Sequence, residues 1–562
     1  MDASQLVQNA QHIRAQLIAP GAPFEMETVT HLGHAVRAYK QAFTQLPDLI
    51  NAGRAHGERE FIVYGSDRWT FQRFFEAVDA LAGRLQHDWG LQPGDRVALA
   101  MRNRPEWAVA FAAIALVGAV PVPLNSFGLS EELTQAIQDT QPRMLMCDAQ
   151  RQSRLADTAL PPGCVSVVVD AATSGPDWAA LISAGGPAVR AVTLAPTDPA
   201  LILFTSGATS QAKGVLSNQR AVCQALYNID FIGAISAMSS PAAVQKMMSA
   251  GLMPTTLTAV PLFHVSGLHA QLLVSLRHGR RLVFMHRWDP VQALTLIQTE
   301  KVTQFNGAPA MVQQLLNEPA FADPAVSGSL MGLGFGGAGL SQRLIDATLA
   351  ARPQSLSGIG FGLTETNGVG AAASGELFAA HAHCAGLVSP LMDIQITDVD
   401  GQALPAGEPG EIWLRGVSVM DGYWHQPQAT QSALAQGWFH TGDIGLVEPS
   451  GFLRVVDRIK DVINRYGEKI AAAEVESCLL QHPEVQEAAV FAQADEMTGE
   501  AVVAVVHLSS QSSLNAQDLQ QHVARHLAAY KVPQVIHVRH EPMPRNPAGK
   551  VLKKTLKTMY AS

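Results

Sequence analysis

Short apolar runs alternate along this chain with stretches whose apolar positions recur at helical spacing. The clearest helix follows Thr70, which is a suitable N-cap for it. Its apolar positions are Phe71, Phe74, Phe75, Val78, Leu81, Ala82 and Leu85. The runs that predict strands are 96–101, 143–147, 165–169, 200–204, 259–263, 282–285 and 302–305. Strands that alternate with helices predict parallel sheets covered by helices, an α/β fold.

The pattern changes in the last third of the chain. Residues 398–410 are rich in turn residues, and short strands such as 411–415 follow, so we expect a smaller β unit there. Beyond a predicted boundary at 455–461, the pattern predicts a small α+β domain. Its helices are 474–480 and 519–529, and its strands are 487–491, 502–508 and a final 535–538.

These patterns predict a large N-terminal domain of helix-covered mixed sheets with a β subdomain, residues 1–456. A hinge at 457–461 and a small C-terminal domain, 462–562, complete the chain. Residues 1–60 suggest an extension with a few short helices.

Composition narrows the classes of function. With 562 residues, 47% hydrophobic and 15% charged, the chain can bury a large core in more than one domain. The formal net charge of -9, without a basic run, argues against nucleic acid as a main partner. The five cysteines show no zinc or CxxC spacing, so we expect reduced thiols in a cytoplasmic protein.

A membrane-spanning segment is not expected. The longest apolar run, 107–120, is shorter than the ~20 residues that a membrane span requires. The run is better explained as a buried helix that leads into a strand.

Polar and glycine residues directly follow the predicted strand 200–204. They are Thr205, Ser206, Gly207, Thr209, Lys213 and Gly214. Backbone N–H groups, hydroxyls and an ammonium suit phosphate oxygens. The loop is not a Walker A motif, because Ala212 precedes the lysine and Gly214 follows it. On composition alone, an ordinary polar turn explains it equally well.

In order and spacing, this loop resembles the phosphate-binding signature of the adenylate-forming superfamily. That superfamily includes acyl-CoA synthetases, luciferases and the adenylation domains of peptide synthetases. The chain departs from the signature at Ala208, Ser210 and Ala212. The resemblance extends from about residue 70 to 554 and implies a large N-terminal domain with a mobile C-terminal domain.

Further motifs follow in the superfamily's order. In Gly360-Phe361-Gly362-Leu363-Thr364-Glu365 the resemblance implies that Phe361 stacks on the base, Thr364 bonds a phosphate and Glu365 holds Mg²⁺. Taken alone, this pattern also fits a loop carboxylate that is satisfied locally.

Three positions resemble the superfamily's ribose and hinge residues. Asp443 in Thr441-Gly442-Asp443 is implied to accept the ribose hydroxyls, with Arg458 as its partner. Lys460 is implied to be the pivot between the domains. An Asx-turn and a solvated charge cluster are the alternatives from the residues alone.

The terminal motif supplies the expected catalytic residue. Lys550 ends Pro544-Arg545-Asn546-Pro547-Ala548-Gly549-Lys550, and the resemblance implies that its ammonium bridges the substrate carboxylate and the α-phosphate. From the residues alone, a solvated lysine near a tail is the alternative.

Two segments resemble the acyl-binding elements of acyl-CoA synthetases. His264, after the run 259–263, is implied to lie against the substrate carboxylate. Gly337 and Ala338 are implied to lie beside the adenine and the acyl chain. Gly332, Gly334 and Gly337 also fit a dinucleotide fingerprint, but no acidic residue follows at the required distance.

The acceptor is implied by the segment around Gly467, which resembles the border of a pantetheine channel. The resemblance therefore implies an ATP-dependent acid–thiol ligase that uses ATP, Mg²⁺ and coenzyme A. Two alternatives stay open: transfer of the acyl group to a carrier protein or amine, and a protein that only binds ATP or acyl-AMP. A homo-oligomer also stays open.

The predicted substrate is an apolar carboxylic acid, either fatty or aryl. The pocket segments 265–276, 305–315 and 334–340 contain no Asp, Glu, Lys or Arg. An unpaired charge on the substrate would be costly to desolvate there.

Overall fold

The fold is described from a computed structural model that covers residues 3–170, 176–205, 212–336, 340–465, 468–495, 497–546 and 549–560. Six predicted site residues lie outside these ranges: Ser206, Gly207, Thr209, Gly337, Ala338 and Gly467.

The chain begins with a helix, a β-hairpin and a helix–strand unit. The elements are α1 (Ala3–Leu17), β1 (Met26–His31), β2 (His34–Tyr39), α2 (Leu46–Ala52), β3 (Glu60–Tyr64), β4 (Asp67–Thr70) and α3 (Phe71–His87). The hairpin β1–β2 was not predicted, since residues 1–60 suggested an extension with a few short helices. Helix α3 begins as predicted, because the Thr70 side chain accepts a hydrogen bond from the backbone N–H of Arg73 at 3.1 Å.

A four-stranded parallel sheet comes next, in the order β6-β5-β7-β8. Its elements are β5 (Arg96–Ala100), α4 (Pro105–Leu116), β6 (Val120–Pro123), α5 (Ser130–Thr140), β7 (Met144–Cys147), α6 (Ala149–Arg154), β8 (Val165–Val168) and α7 (Trp178–Leu181). The apolar run 107–120 is therefore a buried helix that leads into a strand, as expected.

The middle of the chain continues the alternation of strands and helices. Its elements are β9 (Pro199–Phe204), β10 (Gly214–Asn218), α8 (Gln219–Ser239), α9 (Pro241–Ser249), β11 (Thr255–Thr258), α10 (Val265–Gly267), α11 (Val274–His278), β12 (Arg281–Phe284), α12 (Pro290–Glu300), β13 (Gln304–Gly307), α13 (Pro309–Asn317), α14 (Pro324–Ser327), β14 (Gly332–Phe335), α15 (Gln342–Ala351) and β15 (Gly358–Phe361). Helix α8 is long and apolar enough to cross a membrane by length and composition alone, yet 56% of that window is buried inside the fold.

Antiparallel strands then extend the large sheet that contains β11 to β15. The elements are β16 (Ala371–Ser374), α16 (Glu376–Ala380), β17 (Gly386–Val388), β18 (Met392–Thr397), β19 (Gly410–Gly416), β20 (Gly422–Tyr423), α17 (Pro427–Ala433), β21 (Leu434–Ala435), β22 (Trp438–Val447) and β23 (Phe452–Arg458). Strand β17 pairs with β23, so the β unit expected after residue 398 is continuous with the main sheet. Strands β3, β12, β11, β13, β14 and β15 run parallel within that sheet. Strand β20 instead pairs with β10 in a separate three-stranded sheet, β20-β10-β9.

The C-terminal part has its own five-stranded sheet and its own apolar core. Its elements are β24 (Ile463–Arg465), β25 (Glu468–Ile470), α18 (Ala472–Leu480), β26 (Val485–Asp495), β27 (Gly499–Leu508), α19 (Ala516–His526), β28 (Val535–Arg539) and α20 (Lys553–Met559). The predicted helix 519–529 thus ends earlier, at His526, and β28 is followed by a further helix, α20.

One predicted strand is wrong, and its error bears on the site. The run 259–263 is not a strand, because β11 ends at Thr258. The Asn103 side chain instead donates to the Val260 carbonyl at 2.9 Å and accepts from the Leu262 N–H at 3.0 Å. A side chain more than 150 residues away thus satisfies backbone groups that a neighbouring strand would otherwise have bonded.

The N-cap of α3 can be tested by substitution. Replacing Thr70 with Ala removes the acceptor for the Arg73 N–H, and such a loss weakens a helix by about 1 kcal/mol. We expect amides in the first turn of α3 to exchange roughly 5-fold faster in hydrogen-exchange mass spectrometry. Thr70→Ser keeps the acceptor and should match the unmodified protein. Equal protection in Thr70→Ala would contradict the role of the cap.

Candidate active site

The polar loop after β9 joins two antiparallel strands. Thr205 donates its backbone N–H to the Lys213 carbonyl at 3.0 Å, and the Lys213 N–H donates to the Thr205 hydroxyl at 3.2 Å. Strand β10 also pairs with β20, where Val215 lies opposite Tyr423. The two described ends of the loop are therefore fixed beside a third strand that comes from far along the chain.

Tyr423 connects this loop to the Glu365 motif. Its hydroxyl donates to Glu365 Oε1 at 2.9 Å, and the Lys213 ammonium lies 4.7 Å from the centre of its ring. Burial raises the pKa of Glu365, although the Tyr423 hydrogen bond and the Arg458 charge oppose that rise. The predicted residues Lys213 and Glu365 are thus brought together by a tyrosine that the sequence analysis did not identify.

The Glu365 segment is a short 3₁₀ turn, Thr364–Thr366, which follows β15. Gly360 and Phe361 belong to the end of that strand, and Gly362 follows it. The Asn367 side chain donates to the Ser217 hydroxyl at 2.9 Å and to the Ser418 carbonyl at 3.0 Å. These bonds tie the turn to strand β10.

A partly buried ion pair forms the next part of the site. Asp443 and Arg458 lie opposite each other on β22 and β23, with Arg458 Nε 2.9 Å from Asp443 Oδ1. The Asp443 side chain is only 5% exposed. Burial raises its pKa, while Arg458, Lys550 and Lys460 act to lower it. One carboxylate thus interacts with three cations.

Lys550 lies in the same surroundings although it is more than 90 residues further along the chain. Burial, together with the charges of Arg458 and Lys460, lowers the pKa of Lys550 to about 8, and Asp443 and Asp461 oppose the shift. Its loop is held by the Asn546 side chain, which accepts from the Lys550 N–H at 2.8 Å. Three cations, Arg458, Lys460 and Lys550, therefore lie among the carboxylates of Asp443, Asp461 and Glu365.

The loop of Lys550 also touches the apolar segment 305–315. Gly549 has φ +82°, and a side chain on it would come within 2.6 Å of Ala308 Cβ. Ala308 directly follows β13 and is buried. The terminal lysine is consequently placed between the Asp443–Arg458 pair and a segment predicted to bind the acyl group.

His264 is the N-terminal cap residue of the short helix α10. Its Nε2 is buried and has no hydrogen-bond partner among the described residues. Burial lowers its pKa to about 4, so the imidazole is neutral at neutral pH. Val265, the next residue, lies 3.3 Å from where a side chain on Gly368 would sit, so His264 is close to the Glu365 turn.

A π-helical segment, Leu268–Leu273, follows α10 and leads into α11. It contains His269, which is 1% exposed and has its ring beside the Asn367 side chain. Burial lowers the pKa of His269 to about 4, and Asn367 acts to raise it. Single π-helical turns in longer helices frequently occur at functional sites.

The described residues near the site fit a magnesium ion. Glu365 is a hard oxygen donor, and Tyr423 is its side-chain hydrogen-bond donor. When burial raises the pKa of a carboxyl group, a nearby cation lowers that pKa again and favours the ionised form. Mg²⁺ commonly uses one or two carboxylates plus phosphate oxygens and water.

Comparison with known proteins decides the family. A sequence profile described as AMP-binding enzyme matches residues 50–424, and a profile described as AMP-binding enzyme C-terminal domain matches residues 474–550. The chain belongs to this family of AMP-binding enzymes. Its curated relatives include 4-coumarate–CoA ligase 2 of Solanum tuberosum, which is 30% identical over 481 residues, 84% of this chain and 86% of the relative.

Solved structures of AMP-binding enzymes show the same fold. The fatty acyl CoA synthetase of Mycobacterium tuberculosis has a TM-score of 0.68 at 27% identity and covers 92% of this chain and 98% of its own. An amide bond synthetase of Marinactinospora thermotolerans has a TM-score of 0.77 at 25% identity and covers 92% and 99%. The predicted superfamily, its α/β fold and the class of AMP-forming acid–CoA ligases are confirmed.

The contact between Gly549 and Ala308 can be tested directly. Gly549→Ala adds a side chain at positive φ and against Ala308, so the Lys550 loop should no longer seat fully. We expect ATP–pyrophosphate exchange dependent on a carboxylic acid to fall by roughly 10- to 100-fold, the range for a small misplacement of a reacting group.

The matched control shortens the opposing side chain. The double variant Gly549→Ala with Ala308→Gly relieves the contact but not the backbone strain, so it should recover part of the lost exchange. Equal exchange rates for Gly549→Ala and the unmodified enzyme would mean that the Lys550 loop does not dock here during adenylation.

Proposed function

We propose that this AMP-binding enzyme is an ATP-dependent carboxylic acid–CoA ligase that activates an apolar acid as its acyl-adenylate. The proposal rests mainly on the position of Lys550, between the Asp443–Arg458 pair and the apolar segment that contains Ala308. In that position one ammonium can contact both an α-phosphate and a carboxylate.

In the first step, a carboxylate oxygen attacks the α-phosphorus of ATP. A new P–O bond forms as the bond to pyrophosphate breaks, which gives acyl-AMP and pyrophosphate. The Lys550 ammonium stabilises negative charge that develops at the α-phosphate, and Asp443 accepts hydrogen bonds from the ribose hydroxyls. Thr205 and Lys213 border the loop that we assign to the outer phosphates.

Glu365 is the residue that would hold Mg²⁺, which supplies charge neutralisation on the phosphate oxygens. Tyr423 orients that carboxylate through its hydroxyl. The hydroxyl of Thr364, the preceding residue, can donate a hydrogen bond to a phosphate oxygen. His264, neutral because it is buried, is suited to donate one hydrogen bond to the substrate carboxylate without adding a charge.

In the second step, the CoA thiol attacks the acyl carbon and AMP leaves. We propose that the C-terminal part, 462–562, rotates about Lys460 between the steps, which withdraws Lys550 and brings the Gly467 segment to the site. The backbone supports a pivot here: β23 ends at Arg458, and a 3₁₀ turn, Ile459–Asp461, leads to β24.

The substrate class follows from the lining of the proposed acyl site. Ala308, Met311 and Phe335 are buried and apolar. We therefore propose an aryl or fatty acid without a second charge. The family includes a curated relative named for 4-coumarate and a solved structure named for fatty acyl groups, which supports both classes.

An amine is the second candidate acceptor. A solved structure that aligns with 92% of this chain at 25% identity is named as an amide bond synthetase. Because an amide forms when an acyl group is transferred to an amine, this likeness supports an amine as the acceptor. The first step is the same in both cases, so only the product of the second step separates the two functions.

Acid-dependent ATP–pyrophosphate exchange tests the proposal. Across a panel of hydroxycinnamic, benzoic, fatty and dicarboxylic acids, we expect exchange with an aryl or fatty member and none with dicarboxylates, because a second carboxylate would be desolvated without a partner. CoA, a holo-carrier protein and amines are then supplied to the active acid. Thioester with CoA is expected; amide alone would favour the second candidate.

The opposite results are informative. Exchange with no acid in the panel would favour a protein that only binds the nucleotide. Exchange with dicarboxylates alone would contradict the apolar substrate.

Lys550 gives a sharper test, because its pKa of about 8 lies within an accessible range. As pH rises through about 8, the ammonium loses its proton and its stabilisation of the phosphate, so kcat/KM for ATP in the exchange should fall. Lys550→Ala should abolish adenylation yet leave thioester formation from supplied acyl-AMP largely intact.

Arginine at the same position is the matched control. Lys550→Arg keeps a cation that does not titrate in this range, so any residual exchange should no longer fall on the alkaline side. If Lys550→Ala retained both half-reactions, or if Lys550→Arg kept the same alkaline fall, the assigned role of Lys550 would be wrong.

A further inference from the structure

Two helices of the C-terminal part bring a cysteine and two histidines together. Cys478 lies near the end of α18, and His522 and His526 lie four residues apart on α19. One ligand atom from each of the three side chains lies within 4.8 Å of the other two. The Cys478 residue is 3% exposed, His522 is half-buried and His526 is exposed, so the group reaches from the helix interface to the surface.

Sequence spacing did not reveal this group. Cys478 and His522 are 44 residues apart, and zinc motifs are usually identified by pairs of ligands in close succession. On α19, however, residues four apart share one face of the helix. The packing of α18 against α19 then supplies the sulfur.

Each histidine has the contact that orients a metal-ligating ring. His522 Nε2–H donates to the Cys478 carbonyl at 2.9 Å, and His526 Nδ1–H donates to the His522 carbonyl at 2.8 Å. Ligating histidines commonly bond a backbone carbonyl through one ring nitrogen, which fixes the tautomer and leaves the other nitrogen for the metal.

The two rings also lie close together. Their centroids are 4.6 Å apart, and a third imidazole, His482, has its centroid 5.3 Å from that of His522. Like-charged imidazolium rings at these distances would repel one another, whereas neutral rings around a shared cation would not.

We propose that Cys478, His522 and His526 bind one transition-metal ion of the zinc type, with water as the fourth ligand. Thiolate and imidazole donors together suit Zn²⁺, which prefers nitrogen and sulfur in a tetrahedral arrangement. The thiol proton leaves to solvent as the metal–sulfur bond forms, so no redox partner is needed. The ion links α18 to α19.

A second group, His383, Cys384 and Glu448, is a weaker candidate. There the carboxylate already accepts from the Cys384 thiol at 3.4 Å, pairs with His383 at 3.4 Å and accepts from the Ser450 hydroxyl at 3.3 Å. Because these polar groups already bond one another, we expect no metal to bind there. Substitutions of His383 and Cys384 therefore serve as internal controls in the experiment.

The test uses the full-length chain, stripped with a chelator and titrated with Co²⁺ as an optical probe and Zn²⁺ as a competitor. We expect one equivalent of Co²⁺, with tetrahedral d–d absorption and a thiolate-to-cobalt charge-transfer band that Zn²⁺ removes. Cys478→Ser should lose the charge-transfer band. His522→Ala and His526→Ala should each weaken binding by roughly 10-fold or more.

Stability gives a second readout. Zn²⁺ should raise the melting temperature of the unmodified protein and leave that of Cys478→Ser unchanged, because only the former has the metal link. Cys384→Ser and His383→Ala should behave as the unmodified protein in both assays.

The proposal would be overturned by an absence of stoichiometric binding. It would equally be overturned by a charge-transfer band that persists in Cys478→Ser or disappears in Cys384→Ser. Circular dichroism of each stripped variant shows whether a loss of binding reflects misfolding, and the near-isosteric Cys478→Ser is expected to fold normally. The proposal does not depend on the proposed ligase activity.

Discussion

The ion pair between Asp443 and Arg458 is the constraint on which the site depends. Both residues are on paired strands of the large sheet, and Asp443 is almost fully buried. A buried carboxylate is unfavourable unless a cation and hydrogen bonds compensate it. Arg458 provides that compensation at the last residue of β23, immediately before the chain leaves the sheet for the C-terminal part.

The ion pair has two structural consequences, one for the Asp443 carboxylate and one for the path of the chain after β23. The pair fixes a carboxylate acceptor near Lys550, and it also fixes the direction in which the following residues leave the sheet. Asp457, next to Arg458, accepts from the Ala473 N–H at 3.3 Å and so holds the first turn of α18. Asp443, Arg458 and Asp457 therefore tie the last strand of the large sheet to the first turn of α18.

Local interactions made parts of the fold predictable from sequence. The cap at Thr70 and the strand that ends at Phe204 depend on residues within a few positions, and both were predicted correctly. The error at 259–263 came from Asn103, whose side chain occupies those backbone groups from another part of the chain. No periodicity in the run itself indicates such a partner.

The residues of the site also divide into those that local motifs identify and those that depend on distant contacts. Lys213, Glu365, Asp443, Arg458 and Lys550 were identified by motif, and the structure brings them into one region. Tyr423 was missed because its neighbours in sequence suggest only a turn and a short strand, while its contact with Glu365 spans 58 residues. The Cys478 and His522 pair was missed for the same reason.

One close approach of the backbone constrains the turn that contains His264. Gly267 lies against the backbone of the preceding loop, where a side chain would come within 2.2 Å of the Pro261 carbonyl oxygen. The Pro261 carbonyl also accepts from the His264 N–H at 3.1 Å. Any side chain at position 267 would therefore have to displace the turn that places His264.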